Sequence, residues 1–310
     1  MKKKLLLIST VLLACTFEVF AQQDALFSQY MFNMMLVNPA YTGSRDVLSV
    51  SALYRKQWAN VPGSPETMTF SADSPIKNEK MGIGISVFND KIGVIMNTGF
   101  YANYSYRIRL TNNSTLAMGV SVGLSNYKAE LGSVQVSNQA NATPDMAFSS
   151  NPNKILPNVG LGGYYSNDKF YIGLSLPHVL NNKIQNDGGL SARQYRHSFL
   201  MSGYVFRLNE SFKLKPSILV KHVAGSPVQL DLNANVWLYD KFALGFSYRS
   251  LAAPVIMAEV QISDQFRFGY AFDYTTSIKP NESFGRTSHE FLFRYEFGYD
   301  RGKILTPRYF

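Results

Sequence analysis

The fold is decided by residues 115–125, which read TLAMGVSVGLS. Apolar side chains occupy every second position of this stretch, and small or polar residues stand between them. The apolar row consists of Leu116, Met118, Val120, Val122 and Leu124. Successive residues of a β-strand point to opposite faces of the sheet, whereas a helical pattern repeats every 3.6 residues. The stretch therefore predicts a long β-strand with one apolar and one polar face.

The same alternation recurs along the chain. Residues 100–110, 228–239 and 290–297 each place an apolar or aromatic row opposite a row of polar and charged residues. The alternating segments are roughly 9–13 residues long, whereas strands of soluble proteins have a mode of about 5–6 residues. Tilted membrane-spanning strands need about 9–11 residues. The pattern therefore favours a transmembrane barrel over a soluble sandwich.

Composition supports this choice. The 310 residues are 46% hydrophobic and only 16% charged, with 22 Phe, 19 Tyr and 22 Gly. A disordered chain would be rich in charge and poor in aromatic residues. Beyond the N-terminus, no apolar run approaches the ~18 residues that a membrane-spanning helix needs. Both a disordered chain and a helical membrane bundle are thus excluded.

Turn signals divide the chain into about fourteen predicted strands. They lie at residues 46–58, 65–74, 80–88, 97–110, 114–127, 156–166, 168–176, 195–207, 212–223, 228–239, 241–249, 254–262, 265–275 and 287–298. The connections between successive strands are counted from the N-terminus. Most even-numbered connections are tight turns, whereas several odd-numbered ones, such as 128–155 and 177–194, are long. Outer-membrane barrels have short periplasmic turns and long extracellular loops. We therefore predict an all-β fold, a transmembrane up-and-down antiparallel barrel with a short N-terminal plug-like segment.

Aromatic residues toward the segment ends are expected to form the two interfacial girdles of such a barrel. The predicted girdle pairs are Tyr54 with Trp58, Tyr164 with Tyr165, Trp237 with Tyr239, and Tyr270 with Tyr274.

The N-terminus is typical of a signal peptide. A basic Lys2–Lys4 start precedes an apolar stretch and a Val19-Phe20-Ala21 cleavage site. A lipobox ending at Cys15 is the alternative. Removal of residues 1–21 takes away three Lys and Glu18, so the net charge falls from +9 to +9 − 2 = +7 and no cysteine remains. The expected organisation is signal peptide 1–21, N-terminal periplasmic or plug segment 22–45, barrel 46–298 and C-terminal periplasmic tail 299–310.

Two interpretations exist for the segment before the barrel. Residues 27–36 are apolar and Met-rich, and Asn38-Pro39 stops any helix. The simpler interpretation, which we favour slightly, is an amphipathic cap on the barrel mouth. The more specific interpretation is a plug or a partner-docking segment. Candidate docking residues are Phe27, Tyr30 and Phe32, together with Arg308, Tyr309 and Phe310 of the tail.

Polar rows of the strands are expected to face the lumen. The candidate lumen-facing residues are Asp231, Asn233, Asn235, Lys213, Lys215, Lys221, Arg107 and Arg109. A ladder of basic residues that selects anions is one interpretation. We favour cross-strand ion pairs with Asp231, Glu259, Glu290 and Glu296.

Catalytic and metal-binding patterns are missing from the sequence. The four histidines lack metal-ligand spacing, and no nucleophile elbow is present. A contact between His289 and Asp273 at a barrel rim is conceivable, although structural hydrogen bonding is the better interpretation. We therefore expect no enzyme, no cofactor and no metal. The scattered Lys and Arg residues also argue against nucleic acid.

Several motifs resemble the PorP/SprF family, outer-membrane proteins of the type IX secretion system of Bacteroidetes. They include Phe27-Ser28-Gln29-Tyr30, Asn38-Pro39-Ala40-Tyr41-Thr42-Gly43, Tyr54-Arg55-Lys56-Gln57-Trp58, Gly245-Phe246-Ser247-Tyr248-Arg249 and the tail Lys303-Ile304-Leu305-Thr306-Pro307-Arg308-Tyr309-Phe310. The likeness covers almost the whole mature chain.

The resemblance implies a protein of the Gram-negative outer membrane that helps to secrete, or to hold at the surface, partners with a type IX C-terminal signal. It also implies contact with outer-membrane lipid and with peptidoglycan-binding or ring components of the periplasm. In gliding species the partner is an adhesin. An outer-membrane diffusion channel or transporter for small solutes is the alternative function.

Overall fold

The computed structural model describes residues 27–76, 79–133, 151–184, 194–250, 254–274 and 287–298. Its strands form one antiparallel sheet in which each strand pairs with its sequence neighbours. The strands are β1 (Leu48–Lys56), β2 (Glu66–Ile76), β3 (Met81–Ile92), β4 (Ile95–Thr111), β5 (Ser114–Ala129), β6 (Asn153–Asn167), β7 (Phe170–Leu176), β8 (His197–Tyr204), β9 (Phe206–Arg207), β10 (Phe212–Val223), β11 (Gln229–Leu238), β12 (Phe242–Arg249), β13 (Pro254–Gln261), β14 (Phe266–Tyr274) and β15 (Thr287–Phe297).

The sheet closes on itself. The first strand pairs with the last, from Leu48 opposite Phe297 to Lys56 opposite His289. The segments β8 and β9 are two parts of one wall strand interrupted at Val205, because both pair with β10. Within the described residues the wall therefore has fourteen strands, and the predicted barrel is confirmed. Closure leaves no strand edge to face lipid, which a membrane-spanning sheet requires.

The strands have an apolar outer face and a mainly polar inner face. In β5, Met118, Val122 and Leu124 are exposed on the outside, whereas Ser121 and Ser125 are buried on the inside. The outward row is the apolar row that the sequence predicts, and it provides the lipid-facing surface. In the described ranges no helix has the length and hydropathy that crossing a membrane demands.

The strand ends follow the predicted sorting of connections, with one difference. Residues 112–113, 168–169 and 239–241 turn tightly at one end, whereas β5 to β6 and β7 to β8 are joined by long connections at the other. The sequence predicts that residues 89–96 connect the third and fourth strands, and this prediction is wrong because β3 and β4 extend into that stretch. Pairing continues to Ile92 opposite Ile95, and Asn89 donates a hydrogen bond to Thr98 across the two strands at 2.7 Å. Cross-strand pairing thus keeps the polar residues that follow Phe88 in strand β3, although their composition is typical of a loop.

Two predicted girdle residues point inward. Trp237 and Tyr164 are buried in the lumen and pack edge-on against Phe32 and Tyr41, with ring centroids 6.4 Å and 5.5 Å apart. Strand parity explains the error, because Trp237 shares its face with the polar row of β11. Tyr239 is exposed, as an interfacial residue would be.

The segment before β1 lies inside the barrel as a plug and does not cap its mouth. It forms three short 3-10 helices, Tyr30–Phe32, Met34–Leu36 and Pro39–Tyr41, whose residues are almost all buried against the inner wall. We use the name plug for residues 27–46. The predicted signal peptide, the rest of segment 22–45 before Phe27, and the tail with Arg308, Tyr309 and Phe310 lie outside the described residues.

A charge placed on the outer wall tests the lipid-facing assignment. Val122 lies midway along β5 and is 56% exposed, whereas Leu110 is 53% exposed near the short-turn end of β4. We expect Val122→Arg to cost about 2–4 kcal/mol of unfolding free energy and Leu110→Arg about 0–1 kcal/mol, because the cost depends on depth in the bilayer. Equilibrium unfolding in lipid vesicles measures both. Equal costs at the two positions would contradict the assignment.

Candidate functional site

One buried ion cluster holds the beginning of the plug. The Glu290 carboxylate accepts the backbone N–H groups of Ser28 at 2.8 Å and Gln29 at 2.7 Å. Arg55 donates to that carboxylate at 2.7 Å and to the carboxylate of Asp273 at 2.8 Å. We name Arg55, Asp273 and Glu290 the upper cluster, since they lie in the half of the barrel nearer the long connections. The cluster joins the plug to the β1–β15 seam and to β14.

A second cluster lies nearer the short turns. Arg45 of the plug contacts Glu296 at 2.8 Å, and Arg294 contacts Glu259 at 3.4 Å and Glu296 at 3.7 Å. Arg267 also contacts Glu259, at 2.7 Å. These five residues form the lower cluster. Arg294 donates to the carbonyl oxygen of Phe32 at 2.6 Å, which links this cluster to the middle of the plug.

The plug turns into the barrel wall at Gly43. Its φ of +73° is a left-handed conformation that favours glycine. The Gly43 N–H donates to Asp73 at 2.7 Å, and its carbonyl accepts from Arg107 at 2.7 Å. Arg107 also pairs with Asp46 at 2.7 Å. Two strands of the wall, β2 and β4, thus fix the chain just before β1 begins.

Asparagine and glycine bring the middle of the plug against the wall. The Asn38 side chain accepts the N–H of Ala40 at 2.9 Å and donates to the carbonyl of Gly163 at 3.0 Å. A Cβ atom at Gly119 would collide with the backbone of Ala40. The absence of a side chain at this wall position therefore permits the close approach.

The predicted lumen residues of β11 lie buried beside the plug. Asn233 donates to the Tyr30 hydroxyl at 2.8 Å, and Asp231 pairs with Arg249 at 2.9 Å. Asn235 is fully buried on the same row.

The remaining candidates divide between the interior and the rim. Lys215 and Lys221 are buried in the interior, with the Lys215 ammonium 5.6 Å from the centre of the Tyr171 ring. Lys213 reaches Asp240 at 2.6 Å, and Arg109 pairs with Glu79, both at the short-turn end. The structure thus brings most of the candidates together around the plug but leaves these two at the edge of the barrel.

Two of the three candidate docking residues in the plug are enclosed. Tyr30 is 2% exposed and Phe32 is 4% exposed, whereas Phe27 is partly buried and packs against the same core. A partner would reach Tyr30 or Phe32 only if the plug left the lumen.

The interior charges are balanced. In the part of the chain that the structure describes, the buried charged residues are seven cationic (Arg55, Arg107, Lys215, Lys221, Arg249, Arg267 and Arg294) and six anionic (Asp73, Asp231, Glu259, Asp273, Glu290 and Glu296). Most contact an opposite charge at hydrogen-bond distance, which fits the ion-pair interpretation better than an anion-selective ladder.

Sequence reasoning missed the role of Arg55. The favoured structural role of His289 agrees with its hydrogen bond to the Tyr270 hydroxyl at 2.8 Å, and the conceivable contact with Asp273 does not form, because Asp273 binds Arg55 inside the lumen. Strand parity is the signal that could have shown this, since His289 and Glu290 are consecutive and must face opposite sides. The first strand must also pair with the last in a closed barrel, which places Arg55 opposite Glu290.

A cavity of about 390 Å³ remains between the plug and the wall. It lies on the inner faces of β2 to β6 and reaches toward the long connections. Aromatic and aliphatic side chains provide most of its surface, with polar groups from β2 and β4 between them. Its size is within the ~300–1,000 Å³ of ligand sites. Nowhere in the described ranges do three His, Cys, Asp or Glu side chains gather as metal ligands.

Comparisons with known proteins agree with this architecture. A family model described as "Type IX secretion system membrane protein PorP/SprF" matches residues 19–295. No curated protein matches the sequence.

The chain is similar to several solved structures at low sequence identity. The CymD monoaromatic hydrocarbon channel is 11% identical, with a TM-score of 0.53 over 88% of this chain and 94% of that one. Omp33 of Acinetobacter baumannii is 8% identical, with a TM-score of 0.49 over 83% of this chain and 100% of its own. The Pseudomonas putida toluene transporter TodX is 10% identical, with a TM-score of 0.46 over 86% and 94%. The likeness to CymD concerns the fold alone.

Breaking the upper cluster should loosen the plug. Glu290→Gln removes the charge that pairs with Arg55, and loss of one partner from a buried ion pair costs about 3–5 kcal/mol. We expect a cysteine introduced by Met34→Cys, which is fully buried in the intact plug, to react faster with a maleimide in this variant. The control is Glu66→Gln, because Glu66 forms a half-exposed pair with Lys56 at 3.3 Å. An unchanged labelling rate in Glu290→Gln would contradict the role of the cluster.

The close approach at Gly119 gives a second prediction. Gly119→Ala forces the new methyl group into the Ala40 backbone, and such overpacking costs about 1–3 kcal/mol. Gly163→Ala is the control, since a Cβ there meets nothing within 4 Å, and its effect should stay within about 0.5 kcal/mol. The unfolding midpoint of each variant in detergent measures the difference. Equal midpoints would show that the plug does not press on the wall at Gly119.

Proposed function

The chain belongs to the PorP/SprF family of type IX secretion system membrane proteins, and we propose that it assists, without enzymatic activity, the secretion or surface attachment of a partner protein. Membership rests on a match that covers most of the chain, residues 19–295. The protein is an outer-membrane barrel and a membrane component of that system. Its partner and its mode of action are the parts that we propose.

The plugged lumen is the observation that carries this proposal. Two buried ion clusters, the Asn38 contacts and the Gly43 turn hold the plug across the interior. A barrel filled by its own chain is suited to hold or support another protein more than to conduct solutes freely. Buried pairs of this kind are costly to break once formed.

The proposed partners follow from the two ends of the barrel. Long connections face the cell exterior and short turns face the periplasm in outer-membrane barrels. We propose that a cargo protein with a type IX C-terminal signal, adhesin-like in gliding bacteria, binds on the outer side. Peptidoglycan-binding or ring components would bind on the periplasmic side. Export by cleavage of a signal peptide at residues 1–21 is part of the proposal.

A diffusion channel for small solutes remains the second candidate. The cavity of about 390 Å³ has the size of a small-molecule site, and the fold is shared with the CymD channel. Under this alternative a solute would have to pass the plug.

Affinity purification from native outer membranes decides between the two functions. We expect the tagged full-length protein to bring down one large secreted protein and periplasmic ring components, as identified by mass spectrometry. A tagged, unrelated outer-membrane barrel from the same cells is the control. Purified protein in planar bilayers should show no steady conductance. Steady conductance together with the absence of any protein partner would support the channel.

The C-terminal tail gives a separate prediction. We propose that Lys303, Arg308 and the terminal aromatic residues contact a periplasmic partner. Deletion of residues 300–310 should reduce recovery of the periplasmic components while the barrel still assembles and still binds the secreted protein. Normal recovery of every partner by the truncated protein would remove the role of the tail.

A further inference from the structure

The cavity beside the plug is elongated along β4. Asn97 and Asn103 both line it, and they are six positions apart on β4. At about 3.3 Å per residue, this separation corresponds to roughly 20 Å along the strand. The cavity therefore extends from the long-connection end to the middle of the barrel. We call it the lumenal groove.

Polar atoms without partners line the lumenal groove. Thr69 Oγ1, Asn97 Oδ1 and Asn103 Nδ2 are buried and make no hydrogen bond within the described part of the chain. A buried polar atom left unsatisfied costs about 1–3 kcal/mol, so an occupant that pairs these atoms gains affinity. The three atoms offer acceptors and a donor at different depths. A peptide backbone presents one donor and one acceptor per residue, and in extended form it repeats them along such a length.

The charged residues that line the lumenal groove limit which segments can bind in it. Among the described residues that line the groove, Asp90 is the only Asp or Glu, and neither Lys nor Arg is present. An acidic segment or a terminal carboxylate would therefore be buried without a counter-charge, which is strongly unfavourable. An uncharged segment meets no such penalty.

Aromatic rings provide an anchor point in the same groove. Phe88 and Tyr101 stack with ring centroids 6.1 Å apart, and His178 lies edge-on to Tyr101 at 5.7 Å. Large aromatic side chains bind favourably in such surroundings through offset or edge-to-face contacts. An aromatic side chain of an incoming segment would pack here.

We propose that the lumenal groove binds an extended segment of the secreted partner, about six residues long, uncharged, and carrying an aromatic side chain. The segment is internal to the partner chain, because the groove offers no cation for a terminal carboxylate. This inference rests on the proposed function and adds to it the place and chemistry of binding.

Photo-crosslinking within the assembled barrel tests the proposal. The probe is p-benzoylphenylalanine, placed singly at Asn97 or at Met96 in the full-length protein in its native membrane. Met96 neighbours Asn97 but is exposed on the outer wall. We expect a crosslink from position 97 to the secreted protein that co-purifies with the wild type, and none from position 96. Crosslinks from 97 only to the barrel's own chain would overturn the proposal, since the groove would then be filled internally.

A blocking variant gives an independent measurement. Asn97→Trp fills the outer part of the groove, and we expect it to lower recovery of the secreted partner about tenfold per barrel. Met96→Trp should leave recovery unchanged. Recovery at the wild-type level with Asn97→Trp overturns the proposed binding place while the proposed function stands. If the wild-type protein recovers no secreted partner, the proposed function itself fails.

Discussion

The structure depends on one constraint: within lipid, every backbone N–H and C=O group must find a partner inside the protein. The pairing of β1 with β15 meets this requirement by removing the last strand edges. Closure also fixes the parity of all side chains, since one row per strand must face lipid and the other must face the lumen. The inward rows determine which side chains surround the plug.

The polar groups of the inner wall need hydrogen-bond and charge partners inside the barrel. The plug is largely apolar in its side chains, with Met31, Met34 and Met35 packed in its core. Its backbone meets Glu290 and Arg294 of the wall, and its Arg45 side chain meets Glu296. Asn38 donates to a backbone carbonyl of the wall. Apolar plug side chains occupy the spaces between these contacts, beside inward aromatic residues such as Trp237. The polar contacts thus determine position, and the apolar contacts fill volume.

Much of this fold could be predicted from sequence. Period-two alternation and the sorting of turn lengths predict the barrel, the strand number and nearly all strand positions, because these properties are local. The site was harder to predict. Arg55 is a single inward residue on β1, and its partners Asp273 and Glu290 are more than two hundred positions away. Only closure brings them together. The location of the plug depends on contacts spread over most of the wall, and no local pattern distinguishes a segment that enters a barrel from one that covers it.

The plug precedes β1 in the chain, and this order has a consequence for assembly. Residues 28 and 29 are bound by Glu290, on the strand that completes the wall, while Gly43 is bound by strands formed early in the sequence. Because Glu290 lies on the strand that closes the wall, its contacts with the plug can form beside Arg55 only once β15 has joined β1. Closing the cylinder and completing the site that holds the start of the plug are therefore one event. An assembly factor that delivers the final strand to the first would determine at the same moment whether the barrel is released filled or empty.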